Sequence, residues 1–138
     1  MATCSLKRKI DLPIEKVWSL IGDFTKSPAP EIMIVVEKEG DPSAGGVGSI
    51  RMITIGKTRV REILDTVNPP HSLTYRIIGS GPMKEYHGKV NLEGKEGTTI
   101  YHWHADIKPK IPLTGYILCK VAKGAINTFI DALEKHHT

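Results

Sequence analysis

Residues Pro112–Lys135, PLTGYILCKVAKGAINTFIDALEK, hold the longest clean helical period in the chain. Lys120, Lys123, Asn127, Asp131 and Glu134 run down one stripe; Leu118, Val121, Ala122, Ala125, Phe129, Ala132 and Leu133 lie opposite. That spacing predicts a long amphipathic helix with one buried face. Pro112 suits its first turn, where the missing N–H costs nothing. Several inward positions are alanine, with Gly124 beside them. A helix with so small a buried face either lies close against a sheet or leaves space above it. Function depends on which.

Working outward, the rest of the chain reads mostly as strands. Ala2, Cys4, Leu6 and Ile10 alternate with polar residues, the pattern of a half-buried strand. Arg8 interrupts the apolar side, as a bulge or as a charge aimed inward. Pro13, Glu15, Val17, Trp18 and Ile21 give a short helix closing at Gly22. Strands are expected over 31–38, 50–55, 58–67 and 73–77. The clearest two follow: Tyr86, Gly88, Val90 and Leu92 oppose Glu85, His87, Lys89 and Asn91, and Tyr101, Trp103, Ala105 and Ile107 oppose His102, His104 and Asp106. One wet and one dry face per strand means an antiparallel sheet covered on one side. The predicted fold is α+β, with a single domain over residues 1–138.

This order, with Ile10-Asp11-Leu12-Pro13-Ile14-Glu15-Lys16-Val17-Trp18 near the start, resembles the START-like, helix-grip superfamily. Gly46-Val47-Gly48-Ser49-Ile50-Arg51, Ile63-Leu64-Asp65, Leu73-Thr74-Tyr75, Gly81-Pro82-Met83-Lys84-Glu85-Tyr86 and the closing Gly124–Leu133 stretch match as well. The chain looks most similar to small bacterial polyketide-cyclase/dehydratase-like proteins. The resemblance implies a curved seven-stranded antiparallel sheet wrapped around the C-terminal helix, with one or two short helices after the first strand. It also implies a cavity between sheet and helix, with Glu31, Arg59, Tyr75, Ile77, Tyr86, Gly88, Tyr101, Trp103, Ile117, Val121 and Ala125 around it. Relatives often have glutamate where this chain has Arg59. The gate and latch of the related plant hormone receptors would fall at Ile55–Lys57 and Ser80–Met83, where their motifs are missing; Ile55–Lys57 and Gly79–Met83 are the expected rim.

Tyr75, Tyr86, Tyr101 and Trp103 on one dry face suggest an aromatic wall with polar tips, or ordinary core packing. Alternation requires Arg59 or Arg61 to point inward, without saying which. An inward Arg59 facing Glu31 or a tyrosine would anchor the polar end of an apolar ligand. The expected function is therefore binding of a small hydrophobic or aromatic molecule. Two alternatives stand beside it: a cyclase, dehydratase or isomerase using Tyr86, Tyr101, Arg59 and Glu31 on a carbonyl substrate, and a co-chaperone-like partner-binding module.

Composition narrows the rest. With 40% hydrophobic and 25% charged residues among 138, the chain is that of a soluble globular protein. No apolar run is long enough to span a membrane, so no membrane insertion is expected. A net charge of +4 without a basic stripe or docking motif argues against nucleic acid. His87, His102 and His104 share a wet face with no completing ligand, so no metal and no cofactor is expected. His136 and His137 read as a frayed tail. Cys4 and Cys119, at opposite ends of the chain, suggest free thiols and a cytoplasmic location, as a monomer or weak homodimer.

Overall fold

The computed structural model describes every residue except Ser80. The elements run β1 (Ala2–Ile10), α1 (Ile14–Ile21), β2 (Ile32–Lys38), β3 (Ile50–Ile55), β4 (Thr58–Asn68), β5 (Ser72–Ile78), β6 (Met83–Lys95), β7 (Thr98–Pro109) and α2 (Gly115–His137). The strands form one antiparallel sheet in the order β1-β7-β6-β5-β4-β3-β2. This is the helix-grip architecture: a curved sheet around a C-terminal helix, with one short helix after β1.

The centre of the sheet follows from alternation. Tyr86, Gly88, Val90 and Leu92 pair with Ile107, Ala105, Trp103 and Tyr101, and all eight are buried. Glu96 and Gly97, at φ 51 and 80, make the two-residue turn that right-twisted hairpins favour. Trp103, Ile107, Leu64, Ile130 and Leu133 are sealed from solvent in the core.

Along α2 both possibilities left open by its small residues are realised. Phe129, Ile130, Ala132 and Leu133 are buried, so the C-terminal half is packed down. In the N-terminal half Leu118, Ala122, Ala125 and Ile126 are only half-buried and Val121 is exposed. The helix stands off the sheet there.

Three local expectations are corrected, and the choice left open at Arg8 is decided. The helix begins at Gly115, not Pro112, because the Thr114 hydroxyl donates to the Ile111 carbonyl at 2.7 Å and closes a turn over 111–114. A side chain at 115 would lie 2.7 Å from the Ala2 Cβ, so glycine lets the helix start against β1. At its other end the two histidines are not frayed. His136 Nε2 lies 2.5 Å from Glu31 Oε1, and His137 Nε2 lies 2.7 Å from the Pro28 carbonyl. Arg8 makes no bulge, since β1 keeps register with β7 throughout. Its guanidinium reaches under α2 to Asp131 and Glu134, each at 2.7 Å, and to the Asn127 carbonyl. Finally, the cysteines are not free thiols: Cys4 and Cys119 form a disulfide, with Cα atoms 5.8 Å apart. Distance along the chain misled here, because β1 lies beside the first turns of α2.

Candidate ligand-binding site

Where α2 stands off the sheet there is a cavity of about 300 Å³. Ile53, Ile55, Val60, Ile77 and Met83 form its sheet wall, and Leu118, Val121, Ala122, Ala125 and Ile126 its helix wall. Lys57 and Pro82 belong to its rim, on the two turns expected to frame it; Ser80 of the second turn lies outside the described residues. A chamber of about 40 Å³ continues toward α1 and shares Ile53, Ile55, Glu62, Tyr75 and Ile126 with the first. That is room for ordered water.

Of the residues expected at the site, Arg59, Tyr75, Ile77, Tyr86, Val121 and Ala125 line the cavity. Tyr101 faces the small chamber. Trp103 sits behind the wall, fully buried, donating from Nε1 to the Tyr75 hydroxyl at 3.0 Å. Gly88 has a packing role: a Cβ there would fall 2.3 Å from Tyr75 Cζ. Ile117 points to solvent. Glu31 is away from the cavity, beside His136 at the far end of α2.

The expectation that Arg59 or Arg61 turns inward is corrected. Ile55, Ile53 and Arg51 of β3 pair with Thr58, Val60 and Glu62, which puts these three residues of β4 on the dry side. Arg59 is exposed at the rim, and Arg61 forms a two-bond ion pair with Glu37, Nη2 to Oε2 at 3.1 Å. Glu37 is held below the usual carboxylate range, first by that hydrogen bond.

The inward charges are instead Arg51 and Glu62, both buried. Arg51 donates from Nε to Oε1 of Glu62 at 3.0 Å, and its Nη2 lies 2.9 Å from the same oxygen as an ion pair. Its guanidinium also lies 3.7 Å from the centre of the Phe24 ring. Oε2 of Glu62 has no hydrogen-bond partner among the described residues, and Glu62 walls both the cavity and the chamber. A signal for this pair existed in the sequence. Arg51 shares a strand side with Ile53 and Ile55, and Glu62 with Val60 and Leu64.

Next to Glu62 the phenols form a relay. The Tyr75 hydroxyl accepts from Trp103 and shares a 3.0 Å hydrogen bond with Tyr86, in which either oxygen can donate. When Tyr75 donates, the Tyr86 proton is free to point at a guest. Burial first, then the neighbouring Glu62 carboxylate, pushes the Tyr101 phenol well up. Tyr75 and Tyr86 are likewise raised, mainly by burial. None of the three is a base at neutral pH; each is a neutral hydroxyl.

That has a consequence for alkaline stability. A folded-state pKa above the unfolded 10.0 means the native state keeps protons that the unfolded chain releases. Stability is therefore full below about pH 10 and falls as pH rises above it. In an alkaline titration, the phenolate absorbance of these three tyrosines should appear together with loss of the circular-dichroism signal. Ionisation of all three with the fold intact would contradict their burial.

The sheet, gripped helix and enclosed apolar space define a START-like fold. Solved structures agree. The chain is similar to the protein XoxI from Bacillus cereus, with TM-score 0.77, 21% identity, and coverage of 98% of this chain and 94% of that one. It is similar to a START superfamily protein from Mycobacterium smegmatis, at 0.75 and 14%, covering 96% and 94%. One half of the di-domain aromatase/cyclase BexL of the BE-7585A biosynthetic pathway also superposes, at 0.75 and 13%, covering 98% of this chain and 46% of that one. The chain belongs to the family described as polyketide cyclase / dehydrase and lipid transport, which it matches over residues 1–138. It matches no curated protein. No helix among the described residues is long and apolar enough to cross a membrane.

Proposed function

We propose that this protein binds a small, mainly apolar molecule bearing one hydroxyl or amide N–H, held in the cavity between β3–β6 and α2. The carrying observation is Glu62 Oε2, without a hydrogen-bond partner among the described residues, on the wall of a mainly apolar 300 Å³ space. A carboxylate so placed accepts a hydrogen bond from a guest's donor, while Tyr86 offers a proton to a guest's oxygen. The volume sits at the small end of ligand pockets, which favours a guest of one to three rings over a long acyl chain. Arg51 fixes the carboxylate, so the anchor is preorganised.

Naphthol and naphthalene are suitable probes, since they differ by one hydroxyl. Naphthol should bind saturably and more tightly than naphthalene. Ala125→Phe, which fills the cavity from the helix side, should weaken both by about tenfold or more. Glu62→Gln should remove most of naphthol's advantage while leaving naphthalene unchanged. If Ala125→Phe leaves naphthol binding intact, the guest is elsewhere.

A cyclase- or dehydratase-like reading is favoured by one observation only, that the Glu62 carboxylate lines the same cavity as the Tyr86 hydroxyl. In that reading Glu62 takes a proton from a carbonyl substrate and Tyr86 donates to its oxygen. Glu31, from its position beside His136, takes no part.

A further inference from the structure

Outside the mouth of the cavity the surface changes character. Ile111, Leu113, Ile117 and Val121 are all exposed, Leu113 by 98%, and Val121 also belongs to the cavity's helix wall. These residues come from the β7–α2 connection and the first two turns of α2. Leu113 is held at φ 71, a region in which non-glycine residues are uncommon, and the 111–114 turn keeps it there. Its side chain is thrust into solvent with no packing role to explain it.

Charge is equally one-sided. From Ile107 to Ile130 the sequence contains Lys108, Lys110, Lys120 and Lys123 and no aspartate or glutamate. All four lysines are exposed, and Lys57 stands at the rim of the same mouth. Protruding aliphatic tips flanked in the chain by exposed lysines suit an anionic lipid surface. The tips enter the acyl boundary and the lysines meet the headgroups. A protein hot-spot pocket is concave and aromatic instead.

We infer that this face docks the protein on an anionic bilayer, with the cavity mouth turned toward the lipid. Docking stands on the surface alone; only its use, passing a guest between bilayer and cavity, rests on the function proposed above.

The test is co-sedimentation of the whole protein with phosphatidylserine-rich vesicles and with pure phosphatidylcholine vesicles. The protein should pellet with the anionic vesicles, less at high salt, and weakly with the zwitterionic ones. Leu113→Glu should lower vesicle affinity by about tenfold or more, and so should Lys120→Glu combined with Lys123→Glu. All three positions are solvent-exposed, so circular dichroism and naphthol affinity should stay as in the parent. Three results would overturn the inference. One is failure to pellet at low salt. Another is pelleting that ignores Leu113→Glu, which would mean adsorption through net charge alone. The third is a vesicle-free dimer that Leu113→Glu dissociates, which would give the face to a second copy of the chain. Loss of naphthol binding with docking intact would instead sink the guest-binding reading and leave this one standing.

Discussion

Glu62→Leu lowers the stability of this protein by about 3–5 kcal/mol, because it leaves the Arg51 guanidinium buried without its counter-charge. Arg51 and Glu62 face each other across β3 and β4, and their side chains are only 9% and 11% exposed. The Nε hydrogen bond and the Nη2 ion-pair contact both fall on one carboxylate oxygen, so one substitution removes both. The Phe24 ring, 3.7 Å from the guanidinium carbon, offsets part of the loss through its π face but supplies no hydrogen-bond acceptor. Chemical denaturation measures the drop directly. Arg51→Leu added to Glu62→Leu should recover most of it, since two apolar groups can replace a buried pair nearly neutrally. A single variant within about 0.5 kcal/mol of the parent would show that the pair is hydrated rather than buried.

The second large effect is at Gly88. Gly88→Val should destabilise by about 3 kcal/mol, the upper end for overpacking. Any Cβ at this position meets Tyr75 at 2.3 to 2.7 Å, at Cζ, Cε1 and the hydroxyl oxygen. The ring has no easy escape, being buried and bonded to both Trp103 and Tyr86. Moving it breaks the relay and pushes an aromatic ring into the cavity, so naphthol affinity should fall with stability. Tyr75→Leu placed in the Gly88→Val chain should restore much of the stability. The non-additivity between the two changes is the quantity to measure. Simple addition of the two losses would mean that the introduced valine side chain clashes elsewhere.

These two positions mark how far the sequence could be read. Gly88 was legible as a dry-face residue because β6 and β7 each have one wet and one dry side, and strict alternation is a local property. For Arg51 and Glu62 the signal was weaker. On β4 the charged residues Arg59, Arg61 and Glu62 occupy both faces, and Ile63 competes with Leu64, so period alone leaves the side undecided. Pairing with Ile53 and Ile55 decides it, and that information belongs to the neighbouring strand. Glu31 failed for a similar reason: its position at the start of β2 places it near the C-terminal end of α2, away from the raised half over the cavity. The alanines of α2 flagged the right question. They could not say which half of the helix rises, because Arg8, Glu31 and the Pro28 carbonyl hold down the far end from other parts of the chain.

The Cys4–Cys119 bond joins positions separated by 115 residues, so the chain from one to the other is a covalent ring. Severing one peptide bond in the Gly40–Gly48 loop would open that ring without dividing the molecule. The first strand would stay tied to the gripped helix, and the sheet would keep both its borders. Under denaturing conditions a reductant would then separate two fragments where the oxidised chain stays one covalent molecule.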